Sequence, residues 1–241
     1  MQKQHQLYEG KAKKVFSTED PDLVIVSYKD DATAFDGEKK GVIRGKGAVN
    51  NRMSNFLMQK LGEAGIATHF VEEISDTDTV VKKVEIIPLE VIIRNVSAGS
   101  FAKRYGVAEG IVFENPTFEF SYKNDELHDP LINTSHALAL GLAGEDEIRT
   151  IRKTALEVNR ILKAFFAECG VRLIDFKLEF GRLPDGTIVL ADEISPDTCR
   201  FWDAETGQKL DKDRFRRDLG DVEEAYEEMM RRVFGTSDRS A

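Results

Sequence analysis

The chain has 241 residues, 41% hydrophobic and 32% charged, with a formal net charge of -9; that is long enough for a substantial core and excludes a generally disordered chain. No apolar run approaches membrane-spanning length, the opening MQKQHQLYEG holds no apolar signal core, and two cysteines, Cys169 and Cys199, exclude a disulfide framework or a thiol zinc cluster. A protein of the reducing cytoplasm is expected, and the acidic balance argues against nucleic-acid binding, which needs a basic footprint.

The N-terminal part reads as strands with one helix. Tyr8-Glu9-Gly10-Lys11-Ala12-Lys13-Lys14-Val15-Phe16 is a glycine-containing basic turn running into an apolar strand. Backbone N–H groups at such a turn can approach phosphates while lysines neutralise them, although an ordinary turn has the same look. It is not a GxxxxGK[ST] loop, and the chain contains no GxGxxG either, so P-loop and dinucleotide-binding folds are excluded. Residues 22–28 (DLVIVSY) form a β-rich run. Residues 30–37 (DDATAFDG), with Asp36 and Gly37 at their end, and the stretch 41–47 then read as a polar, glycine-rich loop, functional or merely a connector, before a helix beginning near Asn50. Val49, Met53, Phe56, Leu57 and Leu61 recur at helical spacing and stop at Gly62 and Gly65.

Residues 79–95 (TVVKKVEIIPLEVIIRN) predict strand interrupted at Pro88. After it, Arg94 and Ser100 flank a Val-Ser-Ala-Gly turn before a short helix; guanidinium, hydroxyl and backbone N–H groups there suit a phosphate, while Ser100 alone would suit an N-cap. Arg94, Lys103 and Arg104 make a second basic cluster beside Lys11, Lys13 and Lys14. Further on, Ile148, Ile151, Ala155, Val158, Leu162 and Phe165 mark a long amphipathic helix stopped by Gly170. Near the end, Asp221 with Glu224 resembles a capping box before the stripe Val222, Ala225, Tyr226, Met229 and Val233.

Between those two helices lies a hairpin. In residues 171–181 (VRLIDFKLEFG), Ile174, Phe176, Leu178 and Phe180 face one way and Asp175, Lys177 and Glu179 the other; residues 187–194 (TIVLADEI) supply the partner strand across Pro184-Asp185-Gly186. A two-residue turn sets Glu179 opposite Asp192. A three-residue turn with Gly186 in a bulge shifts the pairing by one and brings Glu193 onto the Glu179 face. Like charges opposed across strands cost roughly 0.2–1 kcal/mol each, so Asp175, Glu179, Asp192 and Glu193 in one hairpin call for compensation. The candidates are a hard cation such as Mg²⁺, or Lys177 and nearby arginines making a neutralised polar face. Arg200, in the following SPDTCRFWD segment, is a second candidate anion contact.

These segments together resemble the SAICAR synthetase family of purine biosynthesis. The resemblance rests on residues 86–100 (IIPLEVIIRNVSAGS) and 173–181 (LIDFKLEFG), with YEGKAK, FDG, KNDELHDP and the stretch 192–202 following in order. It implies an α+β fold of two lobes, residues 1–87 with an antiparallel sheet and residues 88–241 with mixed α and β, and ATP in the cleft between them. It further implies ATP-driven amide formation between L-aspartate and the carboxylate of 5-aminoimidazole-4-carboxylate ribonucleotide, in a cytoplasmic homodimer. In this likeness Gly10, Lys11, Ala12, Lys13 and Val15 cover the ATP phosphates, Lys82 lies near the nucleotide, and Ile86 to Glu90 form the adenine-side hinge. Glu179 and Asp192 hold Mg²⁺, which favours Asp192 as the partner of Glu179. Arg94, Ser100 and Arg200 take the ribonucleotide phosphate, and Asp36, Lys123, Asp129 and Lys177 line the substrate side. An ATP-dependent small-molecule kinase and a non-catalytic nucleotide sensor are the competing readings.

Overall fold

The computed structural model describes residues 1–34 and 38–235; Asp36 and Gly37 lie outside them. The fold is mixed α+β with antiparallel sheets, as expected. The first sheet comprises β1 (Gln6–Glu9), β2 (Lys13–Ser17), β3 (Leu23–Tyr28), β6 (Phe70–Glu73) and β7 (Asp78–Lys82), in the order β1-β2-β3-β7-β6. β4 (Asp31–Ala34) and β5 (Lys39–Val42) make a separate two-stranded ladder, and α1 (Lys46–Glu63) follows. The expected helix is therefore present but starts earlier, at Lys46, because Gly45 takes the left-handed conformation at its N-terminus.

The second sheet is organised by β12 (Val171–Arg182), whose neighbours change along its length. Over its first half it pairs with β9 (Leu89–Val96) and β14 (Cys199–Asp203), with Asp175 opposite both Arg94 and Arg200. Past Leu178 it pairs instead with β13 (Ile188–Ala191) and β8 (Glu85–Ile86). Beyond β9 the sheet continues through β10 (Val112–Tyr122) to β11 (Leu131–Ile132). The break expected at Pro88 is real: it separates β8 from β9. Gly181 is required where β8 crosses, since a Cβ there would lie 2.4 Å from a Val84 methyl.

The helices are α2 (Gly99–Tyr105), α3 (Thr134–Ala139), α4 (Glu145–Glu168), α5 (Asp213–Arg216) and α6 (Val222–Gly235). α4 packs its predicted stripe on β12, and α6 lies against α1. A continuous core joins Met53, Leu57, Leu61, Ile93, Ile151, Val158, Leu162, Phe176, Leu178, Phe201 and Met229. Asp221 does not act as the expected capping-box residue; its carboxylate accepts from Arg214. Among the described residues no helix is long and apolar enough to cross a membrane.

Candidate active site

The turn of the central hairpin decides which acids meet. Leu183 donates to the Thr187 carbonyl, Gly186 donates back to Leu183, and Gly186 has φ 85°. This is the three-residue loop, in which Pro184 lies inside the turn and needs no N–H in the ladder. Glu179 consequently stands opposite Ala191, not Asp192. That corrects the pairing favoured by the family likeness. Asp192 leaves the ladder instead: its backbone turns left-handed, φ 58°, directly after β13. For a non-glycine residue this conformation is strained by about 1–3 kcal/mol, the kind of cost that clusters at functional sites.

The turn brings Asp192 and Glu193 onto one cation. Lys13 bonds Asp192 and reaches Glu193 Oε1 at 3.0 Å. Burial opposes the Lys13 charge, but Asp192 and Glu193 outweigh it and hold the ammonium well above its ordinary range. Asp192 is held low in return: burial opposes ionisation, and Lys13 and Lys177 overcome it. Ser195 Oγ donates to Glu193 Oε2 at 2.6 Å, so Glu193 faces inward.

Glu179, 4% exposed, accepts from Lys123 Nζ at 2.8 Å and Lys177 Nζ at 3.2 Å. Lys177 also donates to Glu90 at 2.6 Å, so the Glu90 carboxylate belongs to this cluster. Burial works against the Lys177 charge, but Glu179 and Glu90 raise it well above the usual lysine range. The neutralised-face and cation readings thus share one geometry, in which lysines pair with acids that also present hard oxygen donors. Among the described residues no three His, Cys, Asp or Glu side chains converge as a metal-binding group.

The glycine-containing turn meets the hairpin through Lys13, at its end. Gly10 N–H donates to Lys13 O at 2.8 Å, Ala12 O accepts from Lys29, and Val15 continues into β2. Exposed Lys11 donates to Asp125 at 2.9 Å. Asp125 precedes Asp129, whose carboxylate accepts from Asn124 N–H at 2.8 Å. Lys82 is exposed at the end of β7, and Ile86 is partly exposed on β8.

Asp175 belongs elsewhere. Arg94 Nη1 donates to it at 2.8 Å and Arg200 Nη1 at 2.9 Å. Arg94 also donates to Glu119 at 2.7 Å and to the Ser100 hydroxyl at 3.3 Å. Ser100 is not an N-cap, because the helix starts at Gly99 behind Ala98. The four hairpin acids are therefore neutralised at two places along β12, by lysines at one and by arginines at the other.

The SAICAR synthetase family model matches residues 6–233. The chain belongs to that family. A phosphoribosylaminoimidazole-succinocarboxamide synthase of Lachnoclostridium phytofermentans is 62% identical over 233 residues, 97% of this chain and 99% of that one. The crystal structure of the enzyme of that name from Ehrlichia chaffeensis superposes with TM-score 0.93 at 46% identity, covering 95% of this chain and 98% of the other. A SAICAR synthetase in complex with ADP gives 0.92 at 53% identity, covering 95% and 97%. In this member of the family, three residues that sequence reasoning missed stand against the candidate site residues. His69, 8% exposed, lies near Asp192 and Lys13, and burial lowers it to about 4, keeping the imidazole neutral. Glu119 and Asp213 hold the arginines. No local motif marks any of the three, since each acts through a partner far away in sequence.

Proposed function

We propose that this protein joins L-aspartate to the carboxylate of 5-aminoimidazole-4-carboxylate ribonucleotide, consuming ATP and giving SAICAR, ADP and phosphate. The observation that carries the reading is the division of charge along β12. Lys13, Lys123, Lys177, Glu179 and Asp192 gather at one position, and Arg94, Ser100 and Arg200 at another. Asp175 and Glu179 are four residues apart, about 13 Å along a strand. This leaves room for a ribonucleotide between its carboxylate and its phosphate.

Lys11 and Lys13, with the backbone of Gly10, Ala12 and Val15, cover the ATP phosphates, and Lys82, Ile86 and the backbone at Glu90 flank the base. Glu179 and Asp192 would hold Mg²⁺, which when bound neutralises phosphate charge; two hard oxygen donors, Asp192 kept ionised by its lysines, suit that ion. Arg94, Ser100 and Arg200 hold the ribonucleotide phosphate. Lys123 and Asp129 line the substrate side.

A carboxylate is a poor acyl donor, so its oxygen first attacks the γ-phosphorus of ATP and ADP leaves. The aspartate amine then attacks the carbonyl carbon of the acyl phosphate, loses a proton and expels inorganic phosphate. Lys177 lies beside Glu179 and neutralises the transferring phosphoryl group. No protein nucleophile is required; positioning and charge supply the rate. The proposal includes two lobes, residues 1–87 and 88–241, supported by the division of the sheets between β7 and β8. It also includes a cytoplasmic homodimer without nucleic-acid or membrane partners.

The test is to incubate the purified protein with ATP and ribonucleotide, with and without aspartate. ADP and SAICAR formed together only with aspartate support the ligase. A stable phosphorylated ribonucleotide formed without it indicates a kinase instead.

A further inference from the structure

Arg200 on β14 is held from two sides by buried carboxylates. Its Nη1 donates to the two oxygens of Asp175 at 3.1 and 2.9 Å, and its Nε donates to Asp213 Oδ2 at 2.9 Å. The remaining nitrogen, Nη2, lies on the backbone where α2 begins: a Cβ on Gly99 would sit 2.3 Å from it. Gly99 has φ 51°, so both the space and the conformation there call for glycine.

Asp213 is itself tightly placed. It is 1% exposed, its N–H donates to Asp211 at 2.7 Å, and Arg216 Nη1 donates to its Oδ1 at 2.7 Å. Arg217 Nη2 lies 3.6 Å from its Oδ2, and the same Arg217 grips Glu109. Glu109 Oε1 in turn accepts the Gly99 N–H at 2.9 Å. The contacts close a ring, Arg200–Asp213–Arg217–Glu109–Gly99, which ties the arginine to the backbone it overlies.

We infer that Asp213 is a positioning residue for ribonucleotide binding: with Asp175 it pins the Arg200 guanidinium so that Nη2 is delivered over Gly99 to the substrate phosphate. The inference rests on the reading of Arg94, Ser100 and Arg200 as the phosphate site. Asp175 alone would leave the guanidinium free to swing about the Nη1 contact. The second carboxylate, on Nε, removes that freedom and leaves one donor edge for the ligand. An arginine fixed this way binds an anion with little further ordering.

The experiment compares Arg200→Gln, Asp213→Asn and the double variant, reading the KM for ribonucleotide, the KM for ATP and kcat. Asp213→Asn raises the ribonucleotide KM about tenfold, leaves the ATP KM within about twofold, and adds nothing once Arg200 is replaced. An unchanged ribonucleotide KM in Arg200→Gln overturns the underlying phosphate assignment. A rise in Arg200→Gln with none in Asp213→Asn overturns the positioning role. So does a double variant in which the two losses multiply. If Asp213→Asn does not fold, Gly99→Ala carries the test, because its methyl group occupies the place of Nη2. That variant also raises the ribonucleotide KM, and an unchanged value overturns the inference.

Discussion

Lys13, on the second strand of the chain, bonds Asp192 and Glu193, two adjacent acids that share its ammonium because Asp192 adopts a left-handed backbone. This contact ties the N-terminal sheet to the central hairpin through charge. The nucleotide reading assigns that same ammonium to phosphate.

Replacing Lys13 with methionine therefore has two effects. The KM for ATP rises at least about tenfold, and the ribonucleotide KM moves much less. Stability falls by roughly 1–3 kcal/mol, since Glu193 stays buried and, among the described residues, keeps just the Ser195 hydroxyl as a side-chain partner. Steady-state kinetics and urea denaturation of the one variant measure both.

Two glycines of the hairpin separate conformation from space. Gly186 has φ 85° with nothing near a Cβ, so Gly186→Ala costs only backbone strain, about 1 kcal/mol. Gly181 has an ordinary backbone, but a Cβ there would lie 2.4 Å from Val84, so Gly181→Ala forces β8 away from β12 and costs more, about 2–3 kcal/mol. Equal losses in thermal denaturation would contradict the crossing of β8 over β12.

Much of this hairpin was legible in the sequence. Period-two alternation correctly put Asp175, Lys177 and Glu179 on one face, and the Pro184-Asp185-Gly186 turn was visible. Periodicity reports faces, however, and says nothing about partners. That Asp175 belongs to Arg94 and Arg200, while Glu179 belongs to Lys123 and Lys177, depends on pairings of β12 with β9 and β14 across long stretches of chain. The left-handed turn at Asp192 had no signal at all, because no glycine or asparagine marks it. α1, α4 and α6 were read from their stripes, with the start of α1 shifted to Lys46 behind the left-handed Gly45, while the short α3 and α5 carry no stripe long enough to read. No pattern in the sequence singles out the buried network around Asp211 and Asp213.

That network has a measurable proton linkage. Burial first, and then the neighbouring Asp213, push Asp211 up to about 7. The unfolded chain loses this proton near pH 4, so between about pH 4 and 7 the folded state binds more protons. Its contribution to stability is complete below pH 4 and is lost as pH rises through 7. The stability difference between wild type and Asp211→Asn should therefore fall with rising pH across that window, by no more than about 1.4 kcal/mol per unit. Urea denaturation at several pH values gives the slope, and a difference that grows with pH would contradict the assignment.

The central claim is that ATP activates the ribonucleotide carboxylate for attack by the aspartate amine at the site around Glu179 and Lys177. The most direct measurement follows oxygen-18 from the labelled carboxylate of the ribonucleotide through one turnover with ATP and L-aspartate. The account predicts one labelled oxygen in the inorganic phosphate and one in the product amide. Unlabelled phosphate, with the displaced labelled oxygen found in water, would contradict it.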